Sequence, residues 1–206
     1  MIFRRIKKLG NILINKCTFV KEKYNSSMKS KKFTPRFIFI TSAILLAAVS
    51  RLFPHIPNFT PIAAMALFGG VYFSDKRLAF VIPLIAMFLS DAALQFIYGW
   101  GFHNTMIYVY IGIILTSTIG MMVRRKVSIL SVAAGSITAS ILFFIITNFG
   151  VWAASGFSMG LVGLNTTYMM GVPFFAPTLL GDLFFNSVLF GAFYLAQIKY
   201  PILIKA

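Results

Sequence analysis

Long apolar runs separated by short polar or basic turns organise this chain. Six of them predict helices: residues 37–53, 60–74, 78–98, 104–123, 127–149 and 168–197. A helix crossing a bilayer needs about 20 mostly apolar residues, with about 17 as a lower limit. The second run falls short of that and holds Gly69 and Gly70, so by length alone it fits a re-entrant hairpin. The sixth is longer than one crossing requires, and Pro173 and Pro177 near its start predict a kink or a short separate helix there, because each removes a backbone donor. The most conspicuous interruption is Arg51 to Pro61, where three prolines in eight residues forbid a regular helix.

Composition turns these runs into membrane spans. Of 206 residues, 59% are hydrophobic and 11% charged, with 23 Phe and a mean hydropathy of +0.86. A soluble domain of this length has too little interior to hide so much apolar surface. The reading is an all-α integral membrane protein.

Charge supplies the orientation. Eleven of the 19 basic residues lie in residues 1–36, opposed there only by Glu22. Next to an apolar span, such an arm reads as a cytoplasmic flank attracted to anionic lipid rather than as a nucleic-acid patch. The turns at Asp75, Lys76, Arg77 and at Arg124, Arg125, Lys126 also look cytoplasmic, and both fall on that side only if residues 60–74 cross. Six crossings follow, with both termini cytoplasmic: a basic arm at 1–36 and a six-helix membrane domain at 37–206. No small-residue cleavage site follows the arm's apolar stretch, and Met28 is an alternative start to Met1. Cys17 alone excludes an internal disulfide or a CxxC site.

Three segments then face outward, residues 51–60, 98–104 and 150–167. They hold Arg51, His55, Asn58, Tyr98, Trp100, His103, Asn104, Trp152 and Asn165. Within the membrane, Asp91, Gln95 and Tyr98 share one helix face, as do Thr178, Asp182 and Asn186. An intramembrane carboxylate must face protein or a wet cavity. Asp91 reads first as a pocket wall, with an ion pair to Arg51 as the structural alternative, and Asp182 reads first as interhelical glue. Gln95, Asn165 and Tyr168 stand as pocket or structural residues beside it. Ala43 with Ala47, and Gly112, Thr116 and Gly120, form small-residue stripes suited to close helix packing. Trp152 reads as an interfacial anchor or a stacking platform for a flat ligand. Phe143, Phe144, Phe174 and Phe175 read as lipid-facing or core.

Enzymatic chemistry finds little support. Two isolated histidines with no HExxH, HxH or cysteine cluster argue against a metal site. No GxSxG accompanies Ser155 or Ser158, and no GxxxxGK[ST] or GxGxxG is present. No cofactor is implied.

Arg51 together with PHIPNFTPIAAMALFGG (54–70), PLIAMFLSD (83–91), TNFGVW (147–152) and VPFFAPTLLGDLFF (172–185) resembles an uncharacterised bacterial family of proposed membrane transport proteins. That family in turn resembles the substrate-binding S components of energy-coupling factor transporters. The resemblance covers residues 37–197. It implies an S-component-like six-helix bundle in the bacterial cytoplasmic membrane, binding a small nutrient beneath the outer loops. It also implies a transmembrane coupling subunit met by the AxxxA pattern of Ala43 and Ala47, with separate ATPase subunits that fit the missing phosphate loop. The basic arm departs from a minimal S component.

The expected function is therefore a substrate-binding subunit of an importer, with Arg51, His55, Asn58, Asp91, Asn148 and Trp152 on the ligand and loop 51–60 as a lid. The alternatives are an autonomous carrier in which Asp182 takes up a proton, a membrane-embedded enzyme with His55 or Asp91 as general base, and a scaffold.

Overall fold

The computed structural model describes residues 34–54 and 56–204; His55 and Cys17 lie outside them. The described chain is all-helical: α1 (Pro35–Ser50), α2 (Ile62–Tyr72), α3 (Lys76–Tyr98), α4 (Met106–Val123), α5 (Ile129–Ala154), α6 (Gly160–Lys199) and a terminal 3-10 turn (Pro201–Leu203). Local chemistry sets several of the ends. Thr34 caps α1 by accepting from the Phe37 N–H at 3.1 Å, with Pro35 in the first turn, and Asp75 caps α3 by accepting from the Arg77 N–H at 2.8 Å. Ser128 and Ser131 cap α5 reciprocally.

Four helices, α3 to α6, are long and apolar enough to cross a membrane, whereas α1 and α2 are shorter apolar helices of 16 and 11 residues. The longest, α6, differs from its sequence expectation. It runs unbroken through Pro173 and Pro177 for 40 residues, and α5 extends to Ala154, so that the predicted outer loop 150–167 shrinks to five residues, 155–159. That stretch reads as a loop because it holds four Gly and two Ser, with Asn165 and two Thr at its end. Its threonines nevertheless bond back into the helix, Thr166 donating to the Val162 carbonyl and Thr167 to that of Gly163, both at 2.9 Å.

The arrangement is a ring around an axis. Helices α1, α3, α4, α5 and α6 contact one another in that order and close through α6 to α1, while α2 contacts all five. Every residue of α2 from Ala63 to Val71 is buried, which accounts for its almost uniformly apolar sequence: it has no solvent or lipid face to mark with polarity. The close approach of α2 to α4 depends on two glycines. A Cβ on Gly70 would overlap the Ser117 carbonyl oxygen and lie 2.9 Å from the Gly120 Cα, and one on Gly120 would overlap the Leu67 carbonyl oxygen. Beside them Phe68, Tyr72, Phe190 and Phe193 cluster across α2 and α6 with ring centroids 4.4–5.9 Å apart, all edge to face except the tilted pair Tyr72–Phe190.

The two ends of the ring differ in charge. At one end Arg36 donates to the carbonyls of Tyr72 and Ile204, and Arg124 to that of Phe73 at 2.5 Å, joining α1, α2, α4 and the C-terminal turn. Lys76, Arg77, Arg125, Lys126 and Lys199 gather there at the corresponding helix ends. The opposite end carries Arg51 alone among the described lysines and arginines.

Candidate functional site

Eleven residues of helix rise about 16 Å, roughly half of the 30 Å hydrocarbon core. The ring's axis is therefore filled by α2 only toward the basic end. Toward the other end it encloses a cavity of about 940 Å³, floored by Ile62 at the start of α2 and walled by α3, α4, α5, α6 and the segment between α1 and α2.

Arg51 sits in this wall just beyond α1. One nitrogen, Nη1, donates to Asp91 Oδ1 at 2.7 Å and to Ser90 Oγ, and lies 3.1 Å from Met87 Sδ. Among the described residues neither Nη2 nor Nε has an acceptor. Asp91, 1% exposed, stands behind the guanidinium and outside the cavity lining, where Tyr110 donates to its second oxygen at 3.5 Å. The carboxylate thus fixes Arg51 through Nη1 alone, in a residue that lines the cavity.

The floor adds donors. No side chain caps α2 at Pro61, and the first helical bond runs from Met65 N–H to the Pro61 carbonyl at 2.8 Å. The N–H groups of the first turn thus have no side-chain cap at the helix end where Ile62 meets the cavity, which is also the positive end of the helix dipole. Many wall hydroxyls are already used as donors: Thr147 gives its proton to Phe143 and Thr178 to Phe174, both at 2.8 Å. They offer acceptor lone pairs only. His103 shares a 2.8 Å hydrogen bond with Thr105 through Nδ1 at the rim, near Tyr98 and Trp100.

The remaining candidates divide between lining and support. Asn58, held at φ 64°, and Asn148 line the cavity, although Asn148 Nδ2 donates to its own helix at Phe144, 2.8 Å away. Trp152 is not in the lining; it stacks edge to face on Phe149 and Phe157, and its indole N–H is buried without a partner among the described residues. Gln95 organises the α3–α4 turn, its Oε1 accepting from Gly101 N–H at 2.9 Å and Phe102 N–H at 3.1 Å, with no room for a Cβ on Gly101 against Asp91's carbonyl. Tyr168 donates to the Ile145 carbonyl at 2.7 Å, and Asn165 is exposed. Ala47 is buried in the chain's own core and Ala43 is half-buried at its edge.

Phe143, Phe144 and Phe174 line the cavity, contrary to the expectation that they face lipid or core, while Phe175 stacks on Phe144. Met87, Leu94, Val109 and Met170 are further wall residues that sequence reasoning did not single out. Nothing in their identity could have done so, since an apolar side chain toward a cavity looks like one toward lipid. Thr178 carried a signal, as part of the polar stripe on α6.

Asp182 lies elsewhere, 2% exposed in the seam between α5 and α6. Ser140 Oγ is 2.6 Å from its Oδ2, and one turn on Asn186 Nδ2 donates to Ser136 Oγ at 3.0 Å. Among the described residues no group of three or more His, Cys, Asp and Glu side chains is placed to hold a metal.

No curated protein and no solved structure matches this chain. A family model does match, over residues 31–203, and the chain therefore belongs to the family of unknown function DUF6580.

Proposed function

We propose that this protein binds a small, vitamin-like nutrient within the membrane for import, as the substrate-binding subunit of a transporter. The observation that carries the reading is the void above α2, lined by Arg51, whose Nη2 and Nε have no acceptor among the described residues, and by Ile62 in the first turn of α2, which has no side-chain cap. Both supply donors, and the walls are mostly aromatic and aliphatic. Arg51 is already balanced by Asp91, so the complementary ligand is compact and largely apolar, with one carboxylate or carbonyl to receive the guanidinium.

The same proposal places six crossings in a bacterial cytoplasmic membrane with both termini inside. The basic residues at one end of the ring support that orientation. The cavity then opens toward the outside, with the segment from Arg51 to Pro61 as its lid. Coupling to a transmembrane partner and ATPase subunits belongs to the proposal as well, supported by the resemblance to S components.

Native mass spectrometry of protein purified without added ligand tests it. A co-purifying small molecule is expected, and Arg51→Ala should lose it. A protein that is repeatedly empty, with uptake in cells indifferent to Arg51→Ala, would overturn the reading.

A further inference from the structure

The α5–α6 seam poses a problem of proton accounting. Ser140 Oγ lies 2.6 Å from Asp182 Oδ2 and 3.0 Å from the Ser136 carbonyl oxygen, and a hydroxyl has one proton to give. If that proton goes to the carbonyl, the contact with Asp182 is a hydrogen bond only when the carboxyl donates, which requires a protonated acid. If it goes to the carboxylate instead, a full negative charge sits in the membrane interior with a single hydroxyl donor. No lysine, arginine or histidine offsets it: among the described residues the one ion pair is Arg51 with Asp91. On the elements packed against α6, which are α1, α2, α5 and the terminal 3-10 turn, the titratable groups are Arg36 and Tyr72, both beside Phe193 about three turns along α6 from Asp182. The nearby amide of Asn186 donates to Ser136 Oγ, and among the described residues no hydrogen bond joins it to Asp182. A lone buried carboxylate costs several kcal/mol, whereas the acid satisfies both contacts of Ser140.

We propose that Asp182 is a proton-binding site in the membrane interior, protonated at rest, with Ser140 as its switch and the cavity as its route to water. In the resting state the acid donates to Ser140 Oγ and Ser140 donates to the Ser136 carbonyl. On release the proton passes to water, and Ser140 turns its own proton from the carbonyl to the new carboxylate, so that one proton leaves and one hydrogen bond changes partner. The exit lies one helical turn away at Thr178, which is on the same face of α6 and lines the cavity. The inference does not depend on which solute the cavity holds.

Infrared spectroscopy of the full-length protein in lipid, at neutral pH and on transfer to D2O, tests it. A protonated-carboxyl C=O band is expected that shifts in D2O, vanishes in Asp182→Asn and persists in Asp91→Asn. Absence of the band, or its survival in Asp182→Asn, overturns the proposal. Should Asp182→Asn fail to fold, Ser140→Ala still decides: loss of the acceptor should raise the band's frequency, and an unmoved band counts against the assigned partner. Thr178→Val should slow the D2O shift several-fold, and an unchanged rate would refute the cavity as the route.

Discussion

Three protein groups share one nitrogen of Arg51, and this division gives the residue two separable roles. Asp91 holds it in place through Nη1, and in the proposed function the remaining nitrogens meet the ligand. Arg51→Lys keeps a charge for Asp91 but has no second edge, so ligand affinity should fall by more than about tenfold while thermal stability in detergent stays near that of the parent. Asp91→Ala should do the reverse of sparing the fold: it strands a guanidinium that is 10% exposed, at a cost of about 3–5 kcal/mol, seen as a large drop in melting temperature. Equal effects of the two changes would show that the edges are not distinct. Asp91 reads first as a pocket wall, yet it stands outside the cavity lining; its pairing with Arg51 was readable only as the alternative, from the scarcity of charges inside the apolar runs. The aromatic wall was not, because burial against a cavity, a neighbouring helix or lipid selects the same residue types.

Helix boundaries carry their own lesson. The linker at 155–159 is far shorter than its composition suggests, and it turns the chain by placing Gly156, Phe157 and Met159 at positive φ, followed by Gly160 at the start of α6. Met159 is 73% exposed at φ 58°, so its side chain adds steric cost without compensating burial. Met159→Gly should therefore stabilise the protein by about 0.5–1 kcal/mol, measured by thermal unfolding, and a loss of stability would argue that the turn is held otherwise. The opposite holds where α2 meets α4. Gly120→Leu has no space against Leu67 and Gly70 and should abolish folded monomer on size exclusion. Sequence reasoning read Gly112, Thr116 and Gly120 as a packing stripe, and the helix contacts at Gly112 and Gly120 are of that kind. It misjudged the start of α6 because glycine and asparagine announce a turn locally, while the long contact with α5 holds the backbone helical.

For the whole molecule, the order of the helices was legible from alternating apolar runs and basic turns, but the ring was not. Periodicity assigns an inward face to a helix and is silent on which helix has no outward face at all. The short second run, which by length could have been a hairpin, is instead the axis around which the others close. Orientation is open to direct test. In a Cys17→Ser background, Asn104→Cys should react with an impermeant maleimide on intact cells and Lys126→Cys only after lysis; equal labelling of both would overturn the proposed topology. The brevity of α2 has one more consequence. Its basic-side end is tied by Arg36 and Arg124, and its 11 residues rise about 14 Å less than a full crossing, so the proposed topology sets the cavity floor deep in the low-dielectric slab. A solute that carries net charge to that floor crosses part of the electric field. Its occupancy should vary with membrane voltage, by a fraction of about 2.3 kcal/mol per 100 mV per charge, and that of a neutral solute should not.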